Sequence, residues 1–121
     1  SADDKAAALA AAGGNAELAG YIANGNRIFH SGCVACHGKG GIGMPGNGKT
    51  LVKNDFIKSL DDEGLLAFIK HGRAPSEPKN TTGIQMPPKG GNPALSDDDL
   101  LDVIAYLRTL QGQAPSAPSA K

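Results

Sequence analysis

The chain has 121 residues, room for one compact domain and little more. Twelve basic and twelve acidic residues balance to a formal charge of zero, which excludes bulk attraction to nucleic acid or anionic lipid. Three Phe, two Tyr and no Trp make a thin core for this length, one that a large buried apolar cofactor would complete.

Residues 1–14 are mainly Ala and end in Gly13-Gly14, a composition expected to stay a flexible arm. The start at Ser1-Ala2-Asp3-Asp4, without an initiator Met, reads as a mature protein after signal removal or as a domain of a longer membrane-anchored chain. No apolar run approaches the roughly 20 residues that a transmembrane helix requires. A domain is expected over residues 15–112, followed by a flexible Pro/Ala/Ser tail over 113–121.

Within the domain three helical patterns stand out and no stretch alternates like a half-buried strand, so the fold class is all-α. The first helix begins near Asn15, a fitting N-cap, and Leu18, Ile22, Ile28 and Phe29 lay an apolar stripe running into Cys33. A short turn is expected around Leu51 to Ile57. The second helix is expected after Ser59, capped by that side chain with Asp62 three residues on; it carries Leu65, Leu66, Phe68 and Ile69 and stops at Gly72. The third opens at Ser96 with three Asp in its first turn, which the helix dipole favours, and runs through Leu100, Val103, Ile104 and Leu107 towards Gly112. The connections 38–48 and 73–95 are rich in Gly and Pro respectively and cannot be helix interiors. Loops of that length in a small domain usually carry function.

Cys33-Val34-Ala35-Cys36-His37 is C-x-x-C-H, the attachment signature for c-type haem: two thiols add to the vinyl groups and the adjacent His reaches the iron. On a helical turn this spacing brings both sulfurs to one side. Two other readings compete. A zinc site would draw on His30 or His71 but lacks a second paired ligand knuckle. A redox dithiol wants a βαβ setting that the chain does not offer.

An electron carrier gains from six-coordinate iron, and the sequence offers Met86, Met44, His30 and His71 as the second axial ligand. Met86 lies 49 residues beyond His37, in Gly83-Ile84-Gln85-Met86-Pro87-Pro88, where a Pro-stiffened loop can cover the far face of the haem. Its other reading is a core gap-filler. Met44, seven residues after His37, would sit on the histidine side unless its loop wrapped the ring edge. His30 and His71 fit helix-end positions. A small peroxidase or gas sensor would need a vacant or labile sixth site, against which Met86 in a stiff loop argues.

Together, Gly25-x-x-x-Phe29 ahead of Cys33-Val34-Ala35-Cys36-His37, then Gly43-Met44-Pro45-Gly46, Met86-Pro87 and Tyr106-Leu107, resemble the bacterial monohaem branch of the class I cytochrome c family over about residues 20–112. The resemblance implies three main helices and short turns wrapped around one covalent haem c, with iron held by His37 and Met86. It assigns Gly25, Phe29, Tyr106 and Leu107 to a close crossing of the first and last helices, and the Pro45 carbonyl to the Nδ1 proton of His37. It further implies a one-electron carrier rather than an enzyme, in the periplasm or on the outer face of a membrane. The stretch from Met86 to Asp97 is similar to cytochrome domains attached to respiratory complexes, which brings in redox protein partners, a terminal oxidase among them, and a monomeric carrier.

Residues 39–89 hold eight Lys or Arg against five acids. Lys39, Lys49 or Lys89 is therefore expected to border a docking patch for an acidic redox partner.

Overall fold

The computed structural model describes residues 1–113. Among these residues six α-helices follow in order: α1 (Ala2–Ala11), α2 (Ala16–Ile28), α3 (Val34–His37), α4 (Asp55–Ser59), α5 (Asp62–His71) and α6 (Asp97–Thr109). A π-helical turn, Phe29–Cys33, joins α2 to α3, and 3-10 turns occupy Lys39–Gly41 and Pro88–Gly91. Among the described residues there is no strand, only two isolated bridges, Met44 with Gly48 and Arg73 with Met86. The all-α class is as expected.

The helix starts follow from side-chain caps, which satisfy amide groups that the first turn leaves without partners. The Asn15 carboxamide oxygen accepts from Leu18 N at 3.0 Å and opens α2. Ser96 and Asp99 form a reciprocal capping box that opens α6, with Asp97, Asp98 and Asp99 in its positive end. At α5 the cap differs from expectation. Asp61, not Ser59, accepts from Gly64 N at 2.8 Å, because Ser59 ends α4 and turns its hydroxyl back to the Phe56 carbonyl.

Helices α2 and α6 cross at the centre. Leu18, Ile22, Ile28 and Phe29 meet Leu100, Ile104 and Leu107, all buried. The crossing is close because of Gly25: a Cβ there would lie 1.9 Å from the Asp102 carbonyl oxygen. Phe29 and Tyr106 pack beside it with ring centroids 5.5 Å apart.

The C-terminal end of α6 ties down the segment ahead of α5. Arg108 donates to the carbonyls of Ile57 at 2.8 Å and Leu60 at 2.6 Å and pairs with Asp62 at 3.0 Å. The Gln111 carboxamide accepts from Asn54 N at 2.6 Å and donates to the Leu51 carbonyl.

The amino-terminal segment departs from the expected arm. Ala2–Ala11 is helical, Ser1 accepts from Asp4 N at 3.1 Å, and Ala8 is buried against α2. Alanine has the highest helix propensity of any residue, and its small side chain lets a helix lie close on a neighbour. Gly13 and Gly14, both at positive φ, make the turn into α2. The expected Pro/Ala/Ser tail lies outside the described residues beyond Gln113.

Candidate haem site

A cavity of about 280 Å³ lies between the π-helical turn, α3, α4, α5, α6 and the two long loops. That is well beyond a packing void; an engineered cavity of ~150 Å³ already admits benzene. Cys33, Cys36, His37 and Met86 all contribute to its wall, as do all three phenylalanines, Phe29, Phe56 and Phe68. The three phenylalanines therefore border one space.

The histidine side grows from the end of α2. The π-helical turn carries Cys33, and α3 carries Cys36 and His37. Both cysteines are half-buried. Burial pushes the Cys33 thiol up, with a smaller push from the charge of Cys36. Burial also lowers the proton affinity of His37, while a backbone carbonyl partly offsets it. A neutral ring whose Nδ1–H is engaged leaves Nε2 free to bind a metal.

That carbonyl is not the one expected. The His37 Nδ1 donates to the Lys49 carbonyl, at a long 3.5 Å, where the resemblance had implied Pro45. The cause is a tight turn: Met44 N to Gly48 O at 3.0 Å and Gly48 N to Met44 O at 3.1 Å close a loop that leaves Pro45 exposed. Gly48 and Lys49 then return against the helix, so closely that a Cβ on Gly48 would lie 2.5 Å from the Cys36 carbonyl oxygen and 3.2 Å from His37 Nδ1.

His30 fastens the same side. Its Nδ1 donates to the Asn26 carbonyl at 2.9 Å and its Nε2 accepts from Gly40 N at 3.1 Å, which fixes the neutral tautomer. It therefore binds backbone on both nitrogens and stands outside the cavity wall. His71 is exposed and lies 3.7 Å from Glu77. Met44 is 39% exposed and is no part of the wall.

The methionine side is built from the segment after α5. Arg73 and Met86 exchange two backbone hydrogen bonds, 2.8 and 2.9 Å, that close the intervening loop. Gly72 makes this approach feasible: its φ of 77° suits glycine, and a Cβ there would meet the Met86 carbonyl oxygen at 2.3 Å. Inside the loop the Asn80 side chain donates to the carbonyls of Ala74 and Ile84 and accepts from Thr82 N and Gly83 N. The roles of Asn80 and Arg73 are not legible in the sequence alone. Asn ahead of Thr-Thr-Gly is an Asx-turn signal that could have found the first; Arg73 counted only as one more positive charge.

The lining fits a haem. It is apolar over most of its extent, with Leu65, Ile69, Leu100 and Val103 in the wall, and cationic in one part, with Lys49, Arg73 and Lys79. A porphyrin carries the same division between ring and carboxylates. The buried Arg73 Nε has no hydrogen-bond acceptor, as expected of a donor waiting for an anion.

An all-helical fold around such a cavity, with C-x-x-C-H in its wall, defines a c-type haem protein. The comparison with known proteins agrees: the cytochrome c family model matches residues 22–111, and the chain belongs to that family. It is an electron-transfer protein with a covalent haem c, not an enzyme.

It is 32% identical to cytochrome c-555 of Prosthecochloris aestuarii over 87 residues, 71% of this chain and 84% of that one. It is 33% identical to cytochrome c6 of Thermosynechococcus vestitus over 94 residues, 76% and 72% of the two chains. It is 31% identical to the cbb3-type cytochrome c oxidase subunit CcoP of Azospirillum brasilense over 106 residues, 86% of this chain but 36% of that subunit. No solved structure matches significantly. No helix among the described residues is long and apolar enough to cross a membrane.

Proposed function

We propose that the chain shuttles single electrons between respiratory-type redox partners, such as a terminal oxidase, on a haem attached through Cys33 and Cys36 and ligated by His37 and Met86. One observation carries this reading: these four side chains, separated by up to 53 positions in sequence, share the wall of one apolar cavity, while Met44 stands exposed and His30 is occupied on both nitrogens.

The bound group supplies a metal that alternates between two oxidation states. The chain's own residues do the rest. His37 presents Nε2 because its Nδ1–H donates a hydrogen bond to the Lys49 carbonyl. The Arg73–Met86 bridge holds the thioether's loop in place, so little must move when the charge changes. Apolar side chains keep water from the iron and leave transfer to the rim.

At that rim the lysines divide. Lys89 donates to the Leu95 carbonyl at 2.9 Å and is half-buried. Lys39, Lys49 and Lys79 are exposed and form the docking patch for an acidic partner. Reduction rates then fall as salt rises, and a rate independent of ionic strength contradicts the patch.

The domain works as a monomer, in the periplasm or on the outer face of a membrane, where haem c proteins of bacteria reside. The test is a redox titration of purified protein followed by exposure of the ferrous form to carbon monoxide. A reversible one-electron transition without carbon monoxide binding is expected. Rapid binding would mean an open sixth position and favour a sensor or peroxidase.

A further inference from the structure

His30, on the π-helical turn, reaches across to the 3-10 turn Lys39–Gly41. Its Nδ1 lies 2.9 Å from the Asn26 carbonyl oxygen and its Nε2 lies 3.1 Å from Gly40 N. A backbone amide can only donate, so Nε2 holds a lone pair and Nδ1 carries the single ring proton. The ring is half-buried and stands edge-on to Phe29 and Tyr106, with centroids 5.1 and 5.9 Å away, which leaves it little freedom to turn aside.

The other ties of this loop run between groups that do not titrate. Gly41 N donates to the Gly38 carbonyl at 2.9 Å, and Gly43 N and Leu51 N donate to the carbonyls of His37 and Gly41, both at 2.7 Å. Gly41 is buried, and a Cβ there would press on Leu110 and Leu51. Gly40 is thus fastened through a side chain that ordinarily changes charge near neutral pH, between neighbours that are not. The charged and titratable groups on the surrounding elements are Arg27 of α2, which donates to Asn24, Cys33 of the π-helical turn, and Lys39 beside Gly40. On α6 they are Tyr106 and Asp102, the latter accepting from Asn24 at 2.7 Å, and on α1 Asp4, whose charge acts on Tyr106.

A second proton on the ring goes to Nε2, the atom that Gly40 N addresses. The imidazolium then has two donors and no acceptor, so the Gly40 N–H faces another N–H and must find water instead. We propose that His30 is a proton-operated latch on the Lys39–Gly41 turn: neutral, it fastens the Gly40 amide; protonated, it releases that amide while the ties at Gly41, Gly43 and Leu51 hold. Acid then adds a second cation near Lys39 and loosens the backbone beside it, at one corner of the patch proposed above for an acidic partner. The latch stands on its own geometry, and only its bearing on docking rests on that patch.

The experiment needs no partner. Amide hydrogen exchange of the reduced, haem-loaded protein is followed residue by residue by NMR, across the range in which the His30 ring protons report the ring's own titration, with each rate divided by that of an unstructured chain at the same pH. Protection of Gly40 is expected to fall about fivefold as His30 takes up its proton, the effect of one hydrogen bond lost, while Gly43 and Leu51 keep theirs. His30→Gln has an acceptor that stays uncharged and is expected to remove the pH dependence at Gly40, whatever its level of protection. Constant Gly40 protection through the titration overturns the proposal, as does a His30 ring that stays neutral until the protein unfolds in acid. A fall shared equally by Gly43 and Leu51, or one that persists in His30→Gln, also overturns it, since acid would then act through another group.

Discussion

The two sides of the cavity are secured by different means. On the histidine side His37, the proposed ligand, rides on a helix that continues α2 through the π-helical turn, and the loop after it is tied back by hydrogen bonds from its backbone amides: Gly43 N to His37 O at 2.7 Å, Leu51 N to Gly41 O at 2.7 Å, and Gly40 N to the His30 ring. On the methionine side no helix among the described residues carries Met86. Its loop is closed by one two-bond bridge and organised from within chiefly by Asn80, with Thr82 accepting from Ile84 N and Lys49 and Arg73 reaching the Lys79 carbonyl. The first arrangement spreads its support over many contacts, whereas the second concentrates it in few, so single substitutions should act more strongly on the methionine side.

The largest effect should come from Gly72→Ala. An Ala at this φ is strained, and its Cβ would press on the Met86 carbonyl, so about 3 kcal/mol of stability should be lost together with thioether ligation. Chemical denaturation and the far-red ferric absorption band read the two losses. Asn80→Ala should come next. It deletes the hydrogen bonds that hold positions 74–84 and should cost about 1–3 kcal/mol, with faster backbone amide exchange confined to that loop.

On the other side, His30→Leu should cost about 1 kcal/mol and leave the haem spectrum near wild type, because the loop keeps its other tethers. His30→Leu more damaging to the spectrum than Asn80→Ala would break the contrast between the two sides. The smallest effect concerns α1. Burial raises the Tyr106 phenol, and the charge of Asp4 adds to it. The folded state thus holds this proton more tightly than the unfolded chain does. That contribution is complete below the ordinary tyrosine value near 10 and is lost as pH rises through the elevated one. Asp4→Asn should make the alkaline loss slightly shallower in thermal denaturation at high pH.

The same contrast marks what the sequence could disclose. Helix α6, its Ser96 cap and the Gly25 crossing are written in local patterns: a capping box, a 3.6-residue apolar period and a glycine among larger residues. The C-x-x-C-H motif is equally local, because its function depends on one helical turn. The helix within 1–14 is not legible from composition, which argues against burial, whereas alanine propensity and the packing of Ala8 and Ala12 on the core dock it. The acceptor for His37 is not legible, because backbone carbonyls leave no trace in residue identity. A tight turn exposes Pro45 and substitutes Lys49, and only three-dimensional closure decides between them. Arg73 and Asn80 depend in the same way on partners that residue types do not name.

Ligation by His37 and Met86 is tested most directly by the ferric and dithionite-reduced spectra of wild type, Met86→Ala and Met44→Ala. The far-red ferric band and a sharp reduced α band are expected in wild type and Met44→Ala, with the far-red band abolished in Met86→Ala alone. A band that survives Met86→Ala and disappears in Met44→Ala would contradict the assignment.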